Sequence, residues 1–126
     1  SFFLSNLEYD DCKKVSKMAR ERGLNHQVIT PENCSVPYQL QAGDPDLYAK
    51  SFEYFKKGLD AGEELGCTVM AVHSGRGYLN EDREEGWKRG RDMLARLADY
   101  AGNKGITLAM ESLRRMRPIW QPLLMM

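Results

Sequence analysis

This chain lacks most of the features that mark a specialised protein. Its 18 Lys+Arg balance 18 Asp+Glu, so the formal net charge is zero, and no long run of one sign interrupts the balance. Nucleic acid and anionic membranes both select a concentrated basic face, so neither is expected as a partner. No apolar run approaches the roughly 20 residues that cross a bilayer. Ser1-Phe2-Phe3-Leu4 has neither the charged flank nor the length of a secretory leader, and a cytoplasmic location is expected. Cysteine is scarce. Cys12, Cys34 and Cys67 are odd in number and widely spaced with no CxxC, which argues against a disulfide framework or a zinc knuckle and predicts reduced thiols.

What is present suits one ordinary domain: 126 residues, 42% hydrophobic and 29% charged. Three helical stretches alternate with three short apolar ones. That order builds parallel sheets, because each strand needs a crossover before the next can run the same way, and the fold class is α/β. A first helix is predicted from about Asp10, with Cys12, Val15, Met18 and Ala19 as its buried stripe and Gly23 as its stop. Leu24 to Thr30 reads as a strand, after which Pro31 and Pro37 open a loop to about Gly43. Asp44 as N-cap, Pro45 at the first helical position and Gly66 past the end bound a second helix. Its inner face is predicted to carry Tyr48, Phe52, Phe55, Leu59 and Gly62.

Cys67 to His73 is the strongest strand, a continuous apolar run of the kind covered on both faces. A third helix from about Glu81 to Ala101 is predicted to turn Trp87, Leu94, Leu97, Ala98 and Ala101 inward, before a last strand, Ile106 to Met110. Leu65-Gly66-Cys67-Thr68-Val69 and Lys104-Gly105-Ile106-Thr107-Leu108 are the same helix-exit phrase. The chain therefore repeats one αβ unit about three times, as in an arc of a (β/α)8 barrel or in a flavodoxin-like open sheet.

Both architectures bind ligands at the carboxyl ends of their strands, which selects Thr30 to Glu32, His73 to Gly77 and Glu111 to Leu113. Glu111 stands out, since a carboxylate directly after a strand is costly to bury unless paired, protonated or metal-bound. A structural alternative pairs it with Arg114 or Arg115. His73 offers an imidazole that could ligate a divalent metal, hydrogen-bond a sugar hydroxyl, or simply be satisfied by a backbone group. His26, early in its strand, reads as structural. Gly75-x-Gly77 resembles a phosphate loop only superficially, because no GK[ST] follows. Tyr38 and Tyr78 lie in the long loops over the same face, where they could stack on a small ligand or serve as packing. The charge-rich stretch Glu81 to Arg91 reads as a solvated helix face.

Taken together, Ile29-Thr30-Pro31-Glu32-Asn33, Val36-Pro37-Tyr38, Val72-His73-Ser74-Gly75 with Gly77-Tyr78-Leu79, and Leu108-Ala109-Met110-Glu111-Ser112-Leu113 resemble the xylose isomerase-like TIM-barrel superfamily of sugar-phosphate isomerases and epimerases. The ketose 3-epimerase and fructoselysine 3-epimerase-like branches are the nearest in pattern. The resemblance runs over about residues 7 to 115 and implies a partial (β/α)8 barrel, with the three strands as about the third, fourth and fifth of eight. It also implies a small sugar or sugar-phosphate substrate and a divalent metal (Mn, Mg, Co or Zn) held by two glutamates, an aspartate and a histidine. The two glutamates exchange the proton beside the ketose carbonyl while the metal stabilises the charge that develops.

Glu111 matches the first of those glutamates, as catalytic carboxylate and metal ligand. His73 matches a strand-end histidine that binds zinc in the endonuclease IV branch, and with Tyr38, Gly75 and Tyr78 it makes up the candidate substrate-binding set. An endonuclease IV-like phosphodiesterase and a non-catalytic oligomerising or binding module are the alternative functions.

The departures from the family pattern are large. Such a barrel takes about 250 residues, and the remaining ligands belong to later strands. The chain is therefore expected to hold metal poorly or not at all, to be inactive alone, and to form a homo-oligomer that covers its open sheet. Residues 1–115 read as the partial barrel, and residues 116–126 as an atypical hydrophobic tail with two prolines. If Arg115 ends in G and Arg117, Pro118 and Ile119 are AGG, CCA and ATC, shifting back one base yields Asp-Glu-Ala-Asn-Leu-Ala from position 116. That restores an acidic residue where the family has its next glutamate, so an out-of-frame tail is expected, and the coding DNA decides it.

Overall fold

The longest helix begins and ends where its cap residues require. In α2 (Pro45–Leu65) the Asp44 carboxylate accepts the Leu47 N–H at 2.7 Å, and Pro45 fills a first-turn position whose N–H has no helical partner. At the other end Gly66 adopts φ of 75°, a left-handed conformation that lets its N–H turn back onto the last carbonyls. A computed structural model describes residues 2–4, 9–31, 37–73 and 80–111 of the chain. Around α2 it arranges β1 (Phe2–Leu4), α1 (Tyr9–Glu21), β2 (Val28–Pro31), β3 (Val69–His73), α3 (Arg83–Gly102) and β4 (Thr107–Glu111).

The strands are parallel and lie in the order β1-β2-β3-β4. The three expected strands and three helices are present, and β1 is an addition to them: Phe2-Phe3-Leu4 pairs with Ile29-Thr30-Pro31. The strand sequence thus starts before α1 and not after it. A flavodoxin-like sheet reverses its winding after the first strands. Here every strand sits beside its predecessor, and α1 packs on α2 and α2 on α3, which is barrel winding.

The pleat sorts the strand residues. Ile29, Pro31, Met70 and Val72 are buried toward the helices, whereas Val28, Thr30, Val69, Ala71 and His73 are half-buried on the opposite, inner face. The core between sheet and helices is Ile29, Met70, Val72 and Ile106 against Phe55, Leu59, Leu65, Met93 and Leu97. Two glycines of α2 set the separation. A Cβ on Gly62 would lie 2.9 Å from Ile29 Cγ2, and one on Gly58 would lie 2.8 Å from Pro31 Cγ.

Several buried faces differ from the periodicity reading. On α3 the inward stripe is Gly86, Gly90, Met93, Leu97 and Ala101, while Trp87 is 51% exposed and Ala98 is also exposed. The first two turns of that stripe are glycine, so hydrophobicity pointed to the neighbouring tryptophan. On α1 Met18 is exposed and Ser16 is buried in its stead, its hydroxyl donating to the Glu64 carbonyl at 3.0 Å. Residues 24–27 precede β2 as irregular chain.

Cys12 and Cys67 are buried and free, and burial raises both thiols, in keeping with unreactive reduced cysteines; Cys34 lies outside the described residues. Lys104 bridges the ends of α2 and α3, 2.5 Å from Glu63 and 3.0 Å from Asp60, and its ammonium also lies 5.1 Å from the Tyr100 ring centroid. The Glu63 and Asp60 carboxylates raise its pKa, in that order, and Tyr100 donates to Asp60 at 2.7 Å. Lys104→Met is expected to cost about 0.5–1 kcal/mol, measured by urea unfolding. The loss is present at pH 7 and fades as pH rises past the ordinary lysine range, where the unfolded-state amine has already lost its proton.

Candidate functional site

Parallel register brings two of the candidate residues together. His73 and Glu111 are partners at the carboxyl ends of β3 and β4. Val72, one residue earlier, is buried toward the helices, so alternation turns His73 to the inner face and Glu111 beside it. Nδ1 of His73 lies 3.5 Å from Oε2 of Glu111, with the imidazole side chain 20% exposed and the carboxylate 66% exposed. The nitrogen is buried and makes no hydrogen bond among the described residues. A buried ring nitrogen with no hydrogen bond among the described residues needs a physical explanation, and metal ligation is one.

One imidazole nitrogen and one carboxylate suit the divalent ions of the Mn, Mg, Co and Zn group. Their separation is near the roughly 3.0–3.5 Å between neighbouring ligand atoms about 2.1 Å from one ion. The pair fits as two adjacent ligands. Among the described residues no group of three or more His, Cys, Asp and Glu could complete a metal site. Arg114 and Arg115, the alternative partners of Glu111, lie outside the described residues, as do Glu32, Gly75, Tyr78 and the tail from residue 116.

The remaining described candidates are placed differently. Tyr38 stacks on Tyr54 of α2, ring centroids 4.8 Å apart and planes at 25°, so one face of its ring is taken by the protein. His26 lies before β2, at the opposite end of the sheet from Glu111, beside a cavity lined also by Arg20, Asn25 and Thr68.

Sequence reading missed a cluster at the helix ends of the two loops that leave β2 and β3. Arg89 donates from Nε to the Gln41 carbonyl at 3.1 Å and pairs through its guanidinium with the Glu81 carboxylate. Its own carbonyl accepts the Tyr48 hydroxyl at 2.9 Å. The side chains of Arg89 and Glu81 are 28% and 31% exposed, so this part of the charged stretch is not a solvated face. The only sequence signal was the spacing of Gly86 and Gly90, on which the Gln41 side chain rests.

Comparison with known proteins gives the family and the fold. A family model described as "Xylose isomerase-like TIM barrel" matches residues 2–119. The chain is 27% identical over 114 residues to fructoselysine 3-epimerase of Escherichia coli O157:H7, covering 88% of this chain and 40% of that protein. It is 34% identical over 95 residues to a probable endonuclease 4 of Thermoplasma acidophilum, covering 75% of this chain and 32% of that protein. Among solved structures, a D-tagatose 3-epimerase-like protein superposes with a TM-score of 0.77 at 14% identity, covering 91% of this chain and 45% of that one. D-psicose 3-epimerase does so with a TM-score of 0.73 at 19% identity, covering 90% and 42%. At those identities the two structures speak for the fold. The chain thus spans less than half the length of these relatives.

Proposed function

Because the chain belongs to the xylose isomerase-like TIM-barrel family, we propose that it carries part of the metal and proton-transfer site of a sugar or sugar-phosphate isomerase or epimerase. The observation that carries this reading is the facing pair His73 and Glu111, with an imidazole nitrogen that makes no hydrogen bond among the described residues, at the strand ends where such barrels place their ligands. When bound, a divalent ion supplies Lewis-acid polarisation of the ketose carbonyl, which acidifies the neighbouring C–H. Glu111, the more exposed of the pair, accepts that proton on a carboxylate oxygen, with the His73 imidazole beside it on β3 as the second ligand of the ion. Epimerisation needs a second base on the opposite face of the carbon, and among the described residues no further His, Cys, Asp or Glu joins His73 and Glu111 in a metal-holding group. The 126 residues alone are therefore read as inactive.

Titration with Co2+, followed by its visible absorption, tests the site. Glu111→Gln and His73→Ala are each expected to weaken Co2+ binding by at least about tenfold, and equal binding by all three proteins would overturn the assignment. The identity to the probable endonuclease 4 favours a phosphodiesterase as second reading. Zero net charge weighs against it, since DNA affinity rests on basic contacts. Tight binding of a duplex bearing an abasic site, lost in Glu111→Gln, would replace the epimerase reading.

We also propose self-association. Among the described residues β4 ends the strand order, and Thr107, Ala109, Met110 and Glu111 are exposed along it. An unpaired edge recruits further strands. Light scattering at working concentration is expected to give a mass above 14.4 kDa, and a monodisperse monomer would count against a homo-oligomer.

A further inference from the structure

We infer that Arg89 is a positioning residue that fixes the two loops flanking the strand-end site, so that it governs how a ketose is held without touching it; this rests on the sugar-site reading above. The loop from β2 ends at α2, and the loop from β3 ends at α3. The strands they leave end at Pro31 and at His73, and the described helix-side residues of the two loops, 37–44 and 80–82, meet at Arg89. The guanidinium binds the first loop through the Gln41 carbonyl and the second through the Glu81 carboxylate, one residue before the α3 N-cap Asp82. The Tyr48 hydroxyl, from the first turn of α2, bonds the Arg89 carbonyl and ties the same point to a third element. A planar fork can serve a carbonyl and a carboxylate together, which a lysine ammonium does with less geometric definition.

The glycines around this point support a built contact. Glycine is among the poorest helix formers, yet α3 carries two in its first half. A Cβ on Gly86 would lie 3.2 Å from Gln41 Oε1, and one on Gly90 would lie 3.1 Å from Gln41 Cγ. A Cβ on Gly43 would run into the Glu81 carboxylate. Gly43 from the first loop and two glycines one turn apart on α3 thus clear the space in which Gln41, Glu81 and Arg89 meet. The loop is held internally as well, with the Gln39 N–H donating to the Ser51 hydroxyl at 3.1 Å and the Ala42 N–H to the Gln39 carbonyl at 3.3 Å.

Hydrogen exchange on the full chain tests the role. In Arg89→Gln the amides of Gln39 and Ala42 are expected to exchange at least tenfold faster, while Met70 and Val72 in β3 keep their rates. Arg89→Lys should recover part of the protection, and Glu81→Gln, a milder change, should give a smaller acceleration of the same two amides. Unchanged loop amides in Arg89→Gln, or acceleration shared equally by Met70 and Val72, would overturn the proposal. In the Co2+-loaded chain, Arg89→Gln should weaken binding of the probe D-fructose at least fivefold and leave Co2+ affinity within twofold. A parallel loss of both would mean a merely structural residue. If Glu111→Gln and His73→Ala bind Co2+ as tightly as the wild-type chain, the sugar-site reading fails, while the exchange rates still decide whether Arg89 fixes the loops.

Discussion

Phe55→Ala is expected to lower the unfolding free energy by about 3–5 kcal/mol. The ring is fully buried in the middle of α2, inside the cluster that joins the helix to β2 and β3. It also meets Tyr54 edge-on, centroids 5.5 Å apart, and Tyr54 in turn stacks on Tyr38. Truncation removes apolar area and leaves a void that the rigid sheet beneath it cannot fill. For a chain of this size the loss corresponds to a fall in Tm on the order of 10–20 °C. Urea unfolding of wild type, Phe55→Leu and Phe55→Ala checks it, the leucine variant losing less because it retains most of the volume. A loss below about 1 kcal/mol for alanine would mean that the α2 seat is loosely packed.

The second large effect turns on distance. Gly62→Val drives two methyl groups toward Ile29, whose Cγ2 already stands 2.9 Å from where a Cβ would go. α2 must then lift from β2, at a cost of about 1–3 kcal/mol. Gly102→Ala, at the end of α3, makes the opposite prediction. Nothing lies within 4 Å of its Cβ position and its φ is ordinary, so reduced freedom of the unfolded chain should raise stability by about 0.4–1 kcal/mol. Thermal scans of the two variants beside wild type check both signs, and destabilisation by Gly102→Ala would contradict the open space there.

Much of this fold is legible in the amino-acid sequence wherever a residue has one strong local use. Asp44, Pro45 and Gly66 bound α2 because capping chemistry is local. Cys67 to His73 contains β3 because one face of the strand is buried under the helices and the other is half-buried, so apolar residues fill both. β1 escaped because a three-residue strand at the chain start has no periodicity to read. The face of α3 was misjudged because Gly86 and Gly90 take an inward position through smallness, which hydrophobicity does not register, while Trp87 drew the stripe toward solvent.

The site divides the same way. His73 and Glu111 were legible individually as polar residues at strand exits, and their pairing follows from parallel register, a property of two strands that neither sequence segment contains alone. Arg89 was not legible as a clamp. Its partners are a backbone carbonyl 48 positions away and a carboxylate eight residues back, neither of which a helical charge pattern distinguishes from solvent.

The strand order has a consequence for how the chain acquires its structure. Each strand pairs with the one immediately before it, so no pairing must wait for a distant segment. Emerging from a ribosome amino end first, β2 finds β1 and α1 already made, β3 finds β2, and β4 closes on a finished three-strand platform. Growth by such increments limits each closure to one loop-and-helix crossover, which favours sequential pairing over a search among alternatives, although every parallel pairing still bears the entropy of closing its crossover.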